Sequence, residues 1–350
     1  MAGIGQWKNE AAQDAYMKAY TSLSKLWTIP STAPADVLAA DWTDNNHCTK
    51  AEGEGLMANK IGRFTSAKAE ENYLRAYDAM AARWPVPSID LDIETSFGTT
   101  RVRKSGSGDG TPIVLLPGMP GNGLFWESVI AELSRDRVVY TVDPLGWAGR
   151  SEQTAPLRDE EDIVRWLIEV FDGLGAERVH LGGYSVGSWL SLLVGVHHSD
   201  RVASLTMLEP GGATFTKPRW SVLFRFLIGG IVPTRKRLAK LTEWLTPGLQ
   251  ISEEQWALTL SAIKFRIAMP WERPLTDEQL AAVTAPLMVL FGATTVANDP
   301  EVGARRVREH IPGAEVEIYP GVGHEMLWAI PEQVIPRFLD FVNEHDQVRA

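Results

Sequence analysis

The pentapeptide G-Y-S-V-G at residues 183–187 places a serine where its hydroxyl can act as a nucleophile. It follows the apolar run R-V-H-L-G-G and opens a helical pattern, S-V-G-S-W-L-S-L-L-V-G-V-H-H. A nucleophile on a sharp strand-to-helix turn takes a strained backbone conformation that bulky neighbours would crowd, so small residues flank it. The turn lifts the Ser185 hydroxyl out of the sheet and points the positive end of the helix at the reacting centre. A bare G-x-S-x-G pattern is weak. The strand-turn-helix context favours Ser185 as a nucleophile over a structural serine turn.

A serine hydroxyl needs a base. Of the seven histidines, His180 falls within a strand, His197 and His198 end a helix, and His47, His310 and His345 lie in polar segments. His324 follows an apolar strand and a glycine-rich turn, A-E-V-E-I-Y-P-G-V-G-H, which delivers it to the carboxyl edge of a sheet. Alone it reads as a surface residue; together with Ser185 it reads as the base. The negative charge that develops in acyl transfer needs two aimed N–H donors. Val186, directly after the nucleophile, supplies one. The turn L-P-G-M-P-G-N-G supplies the other from Met119, with Gly118 allowing close approach; a plain connector is the alternative.

These residues need a sheet to hold them. From residue 88 the pattern alternates strand and helix. A hairpin is expected first, then strands at 112–116, 137–142, 178–183, 202–208, 286–291 and 314–319. Mostly continuous apolar runs separated by helix-length segments predict a doubly wound, mostly parallel α/β sheet with functional residues at the carboxyl ends of strands. Residues 211–284 interrupt the spacing and carry Trp220, Trp244, Trp256 and Trp271 among helical patterns. A connection that long predicts a helical cap over a pocket, or else a decoration on the sheet edge. The expected division is therefore a core at 88–210 and 285–350, a cap at 211–284 and a helical extension at 1–87. Within that extension the unit at 12–31 is repeated at 69–88, each copy with two tyrosines four residues apart (Tyr16 and Tyr20, Tyr73 and Tyr77). Such spacing shares a helix face. Exposed aromatic residues there suit a pocket wall or a homodimer contact.

Composition narrows the partners. A net charge of -10 over 350 residues argues against nucleic acid or an anionic membrane. Cys48 is the only cysteine, which leaves no disulfide, thiol metal cluster or redox pair and fits a reducing cytoplasm. The amino-terminal residues lack a basic-then-apolar leader, and no apolar run reaches about 18 residues. A soluble protein acting on a small molecule, without metal or cofactor, is expected.

Taken in order, P-G-M-P, V-D-P-L-G-W-A-G-R-S, G-Y-S-V-G, the inserted helices and the late G-H resemble the α/β-hydrolase superfamily, specifically its capped serine esterase-like members. The resemblance runs from residue 88 to the end and implies an eight-stranded sheet. Pro117 stands where these turns usually have histidine. Ser185 replaces the aspartate of haloalkane dehalogenases and α/β epoxide hydrolases, which argues against alkyl-enzyme chemistry. Thr295 stands three residues after the glycine that ends the seventh strand, where the family usually carries its acid; it can hydrogen-bond the histidine but not stabilise an imidazolium by charge.

Two carboxylates can replace that acid. Glu209, in T-M-L-E-P-G-G, ends the sixth strand, from which some superfamily members supply theirs. Asp299 is the competing candidate, and before Pro300 it also reads as a helix N-cap. The resemblance implies a serine hydrolase cleaving an ester-type bond (carboxylesterase, lactonase or thioesterase) of an apolar, medium-sized substrate through an acyl-enzyme on Ser185. The alternatives are acyl transfer, cyclisation or lyase chemistry on the same pair, or a non-catalytic binding module.

Overall fold

The computed structural model describes residues 60–216, 219, 222, 225 and 233–346. The first copy of the repeated unit, Cys48 and Trp220 lie outside the described residues.

Strand β1 (Arg63–Phe64) leads into the helix Ala67–Ala81, and the hairpin β2 (Ser88–Thr95) and β3 (Gly98–Ser105) follows. The remaining described strands are β4 (Ile113–Leu116), β5 (Val139–Val142), β6 (Glu152–Gln153), β7 (Val179–Tyr184), β8 (Val202–Leu208), β9 (Phe265–Arg266), β10 (Leu287–Gly292) and β11 (Glu315–Tyr319). The expected apolar runs all form strands. The order is β11-β10-β8-β7-β4-β5-β3-β2, an eight-strand path with the two-residue β6 added on β3. The pair β2–β3 is antiparallel and so is β3–β5, while the neighbours from β5 to β11 are parallel.

The apolar runs are continuous because helices cover both faces of the parallel strands. Along β4, Val114 and Leu116 face one core and Ile113 and Leu115 the other, as the two-residue period of a strand requires. The helices Glu160–Gly173 and Val186–His197 close the first core; Pro331–Glu344 closes the second. From β4 the chain moves to β5 on one side and returns to β7 on the other. This reversal opens a crevice at the carboxyl ends of β4 and β7, where α/β sheets bind ligands.

Between β8 and β10 lie the helices Arg235–Leu245, Glu253–Ala262 and Asp277–Ala281. Ser252 and Gln255 form a capping box at the start of the second, and Thr276 and Gln279 one at the start of the third. The second packs on the helix Ala67–Ala81, and β9 pairs antiparallel with β1. Tyr73 and Tyr77 do share a face, but it is buried against Leu124, Ala148 and Leu258. They are therefore not the exposed aromatic residues a dimer contact requires. No helix among the described residues is long and apolar enough to cross a membrane.

Candidate active site

Ser185 ends β7 with φ 54 and ψ -121, a left-handed conformation that strains a residue with a side chain. The elbow is packed backbone against backbone. A Cβ on Gly183 would lie 2.2 Å from Gly187 O, and one on Gly187 would lie 2.3 Å from Leu116 O, so neither position tolerates a side chain. Ser185 N donates to Leu208 O at 3.1 Å, and Ser185 O accepts from Ser188 N and Gly211 N. Ser185 is thus fixed by β8 and by the loop after it.

His324 arrives from the turn after β11. Its Nε2 lies 3.2 Å from Ser185 Oγ and its Nδ1 lies 3.0 Å from Glu209 Oε2. A carboxylate only accepts hydrogen bonds, so the ring donates from Nδ1 and keeps the Nε2 lone pair for the serine proton. The Tyr184 hydroxyl donates to His324 O and fixes the turn from beneath. Burial first, then the charges of Glu209 and Glu325, raise the Tyr184 pKa, so it remains a donor.

Glu209 is fully buried and adopts φ 44. Its backbone N–H donates to Leu290 O at 2.9 Å, and its Oε1 accepts from Gly292 N, so both oxygens are engaged. Thr295 is buried nearby, but its Oγ1 accepts from Ala297 N at 3.3 Å within its own loop. Asp299, the competing candidate, is turned to a different task. It caps the helix Pro300–His310 by accepting from Val302 N at 3.2 Å, and it pairs with Arg219 at 3.5 Å. The structure brings Ser185, His324 and Glu209 together and leaves Asp299 apart.

Val186 begins the helix Val186–His197, and Met119 lies in the turn after β4. Gly118 runs close to Ser185: a Cβ there would lie 3.4 Å from Ser185 Cβ. All four residues border a cavity of about 1090 Å³. Phe125, Tyr184 and Trp328 wall it on the core side, Leu245, Leu249 and Leu258 on the inserted side, and Tyr73 on the side of the preceding helix.

Glu272 also borders the cavity and was not singled out by the sequence. Its Oε1 accepts from Ala213 N at 3.1 Å and from Thr214 Oγ1 at 2.5 Å, and burial raises its carboxyl pKa. An acidic residue between Trp271 and Arg273 carries no local signal for that role. Among the described residues, one trio of metal-ligand type converges, Glu315, Glu344 and His345. Glu315 starts β11, so the trio sits at the opposite edge of the sheet from Ser185 and is bound up with the Arg337–Glu315 ion pair.

A nucleophile elbow at the switch point of this sheet, with a histidine after the last strand, defines the α/β-hydrolase class. The chain belongs to the alpha/beta hydrolase family, whose model matches residues 113–337. It is 26% identical over 285 residues to the "uncharacterized carboxylesterase nap" of Bacillus subtilis, covering 77% of this chain and 92% of that protein. It is 24% identical over 294 residues to carboxylesterase YbfK of the same organism, covering 80% and 96%. Among solved structures, naproxen esterase (carboxylesterase NP) from Bacillus subtilis matches with a TM-score of 0.72 at 25% identity, over 79% of this chain and 99% of that one.

Proposed function

We propose that this protein is a serine carboxylesterase-type hydrolase whose catalytic groups are Ser185, His324 and Glu209. The observation that carries this reading is the hydrogen-bonded file from Ser185 Oγ through His324 to Glu209, at 3.2 and 3.0 Å. The carboxylesterase names of the relatives support the same bond class.

In this mechanism His324 Nε2 takes the Ser185 proton as Oγ attacks the carbonyl carbon. The oxyanion is held by the N–H groups of Met119 and Val186, and Glu209 stabilises the imidazolium by charge. His324 returns the proton to the departing alcohol. A water then adds to the acyl-enzyme, losing its proton to the same nitrogen, and the acid leaves as Ser185 is regenerated.

The cavity supports an apolar, medium-sized acyl or alcohol group, since aromatic and leucine side chains dominate two of its walls. Residues 211–284 act as its cap, an assignment supported by Leu245, Leu249 and Leu258 along the cavity wall. A single cysteine among 350 residues suits a reducing, cytoplasmic setting.

The test is turnover of aryl esters of graded chain length by the wild type and Ser185→Ala, with fluorophosphonate labelling of the serine and water incorporation into the product. Wild-type turnover in Ser185→Ala would falsify the mechanism. Product formed without water incorporation would point to acyl transfer instead.

A further inference from the structure

We propose that Tyr73, on the helix Ala67–Ala81 that precedes the α/β core, is a positioning residue for the Met119 N–H and acts through Asn122. The inference rests on the hydrolase reading above and deepens it.

Tyr73 is completely buried. Its hydroxyl donates to Ala148 O at 2.8 Å and accepts from Asn122 Nδ2 at 2.9 Å. Burial first, then the charge of Asp143, raises the phenol pKa, so the hydroxyl stays a donor. Asn122 is nearly buried as well, and its Oδ1 accepts from Leu124 N at 3.0 Å, capping the short helix Gly123–Trp126. The adjacent Gly123 N donates to Asp143 Oδ1 at 2.7 Å. One residue upstream of Asn122, Gly121 N donates to Gly118 O at 2.6 Å and closes a tight turn around Met119 and Pro120.

Pro117, at the start of this turn, has neither an N–H nor a polar side chain with which to anchor it. The turn is therefore held from its far end, by Asn122 and the glycine after it. Asn122 in turn is held by a hydroxyl from outside the catalytic core. Tyr73 and Asn122 both border the cavity, as do Gly118, Met119 and Gly121 of the turn.

Freeing one end of the turn lets the Met119 N–H drift from the position the oxyanion requires. Donors of this kind act in the transition state more than in the ground state, so turnover falls while substrate affinity is kept. Tyr73→Phe keeps the buried ring and removes the hydroxyl. Asn122→Ser keeps a capping oxygen and loses the reach to Tyr73.

The experiment compares wild type, both single variants and the double variant on p-nitrophenyl butyrate. Turnover is normalised to sites titrated to completion with a fluorophosphonate, so that unfolded protein is not counted. Affinity for butyl trifluoromethyl ketone, whose serine adduct carries an oxyanion, is measured alongside. Tyr73→Phe is expected to lower kcat about 10- to 100-fold with KM within about twofold, and to weaken the ketone by the same factor as kcat. The double variant should be no worse than the poorer single one, because both break one link. Wild-type kcat and ketone affinity in Tyr73→Phe overturn the inference, as do single effects that multiply in the double variant. Those outcomes leave the hydrolase reading standing. A wild type that the fluorophosphonate does not label at Ser185 removes both.

Discussion

Glu209 Oε2, at the end of β8, lies 3.0 Å from His324 Nδ1, in the turn after β11, while the position three residues beyond the intervening β10 is a threonine. The other Glu209 oxygen takes the Gly292 N–H, so the carboxylate is oriented by the very strand whose own acid position is vacant. In Glu209→Gln the amide keeps a similar shape but loses the charge opposite the imidazolium, and it can present an N–H to the ring. By analogy with the aspartate-to-asparagine exchange in serine proteases, kcat should fall about 10⁴-fold. Steady-state kinetics on an aryl ester reads this directly. A variant retaining a tenth of wild-type turnover would place the acid elsewhere.

Asp299 supplies the contrasting case. Its carboxylate accepts from Val302 N at the start of the helix Pro300–His310, and its other charged contact is Arg219. Asp299→Ala should therefore lose about 1 kcal/mol of stability through the missing cap, with kcat unchanged. Urea unfolding and aryl-ester turnover on the same preparation separate the two effects. A large loss of turnover in the folded variant would contradict this division of labour between the two carboxylates.

What the sequence made legible, and what it did not, follows from the range of the interactions involved. The strands were readable because burial on both faces forces continuous apolar runs such as I-V-L-L at 113–116. Ser185 was readable because a strained turn between strand and helix demands glycines at fixed offsets. Asp299 could be read two ways because an N-cap before proline and a late acid look alike in one dimension. The period of the helix Ala67–Ala81 put Tyr73 and Tyr77 on one face but could not say that Leu124 and Leu258 cover it. Tyr73 meets Asn122, and Glu272 meets Thr214, at sequence separations of 49 and 58 residues, where no local pattern links the partners. The pairing of β1 with β9 leaves no local pattern for the same reason.

Glu272, between β9 and the helix Asp277–Ala281, ties that stretch to the loop after β8, and Gly211 makes room for it. Both carboxylate oxygens lie within 2.5 Å of where a Cβ on Gly211 would stand, and Gly211 N donates to Ser185 O. Gly211→Ala should therefore lose about 1–3 kcal/mol through overpacking and also lower kcat, because displacing Gly211 frees the Ser185 carbonyl. Glu272→Ala leaves Ala213 N and Thr214 Oγ1 without their acceptor and should cost about 1–3 kcal/mol. Glu272→Gln keeps an acceptor and removes a charge whose burial raises the carboxyl pKa. Between the unfolded and folded pKa values the native state holds a proton that the unfolded state has lost, so the cost of the native carboxyl grows as pH rises. Relative to wild type, Glu272→Gln should gain stability with rising pH. Thermal unfolding over a pH series measures it, and a gain that shrinks with rising pH would rule the account out.

His180, at the second position of β7, is fully buried with Nδ1 2.8 Å from Ser204 Oγ and Nε2 3.2 Å from Asp346. Arg137 and His345 also face it. Burial lowers its pKa to about 4, against an ordinary 6.5, despite the bond to Asp346. Above pH 6.5 the ring is neutral in both states and contributes no pH dependence. Between 6.5 and 4 the unfolded chain takes up a proton that the folded one refuses, so stability falls as pH falls and levels off below about 4. A displacement of this size corresponds to a loss of about 3 kcal/mol at most. Replacing the ring by a side chain that does not titrate, His180→Asn, should lower stability at neutral pH but flatten the dependence between pH 6.5 and 4. Urea midpoints across that window, compared between wild type and variant, provide the measurement. Equal slopes would mean that the proton uptake on unfolding belongs to another group.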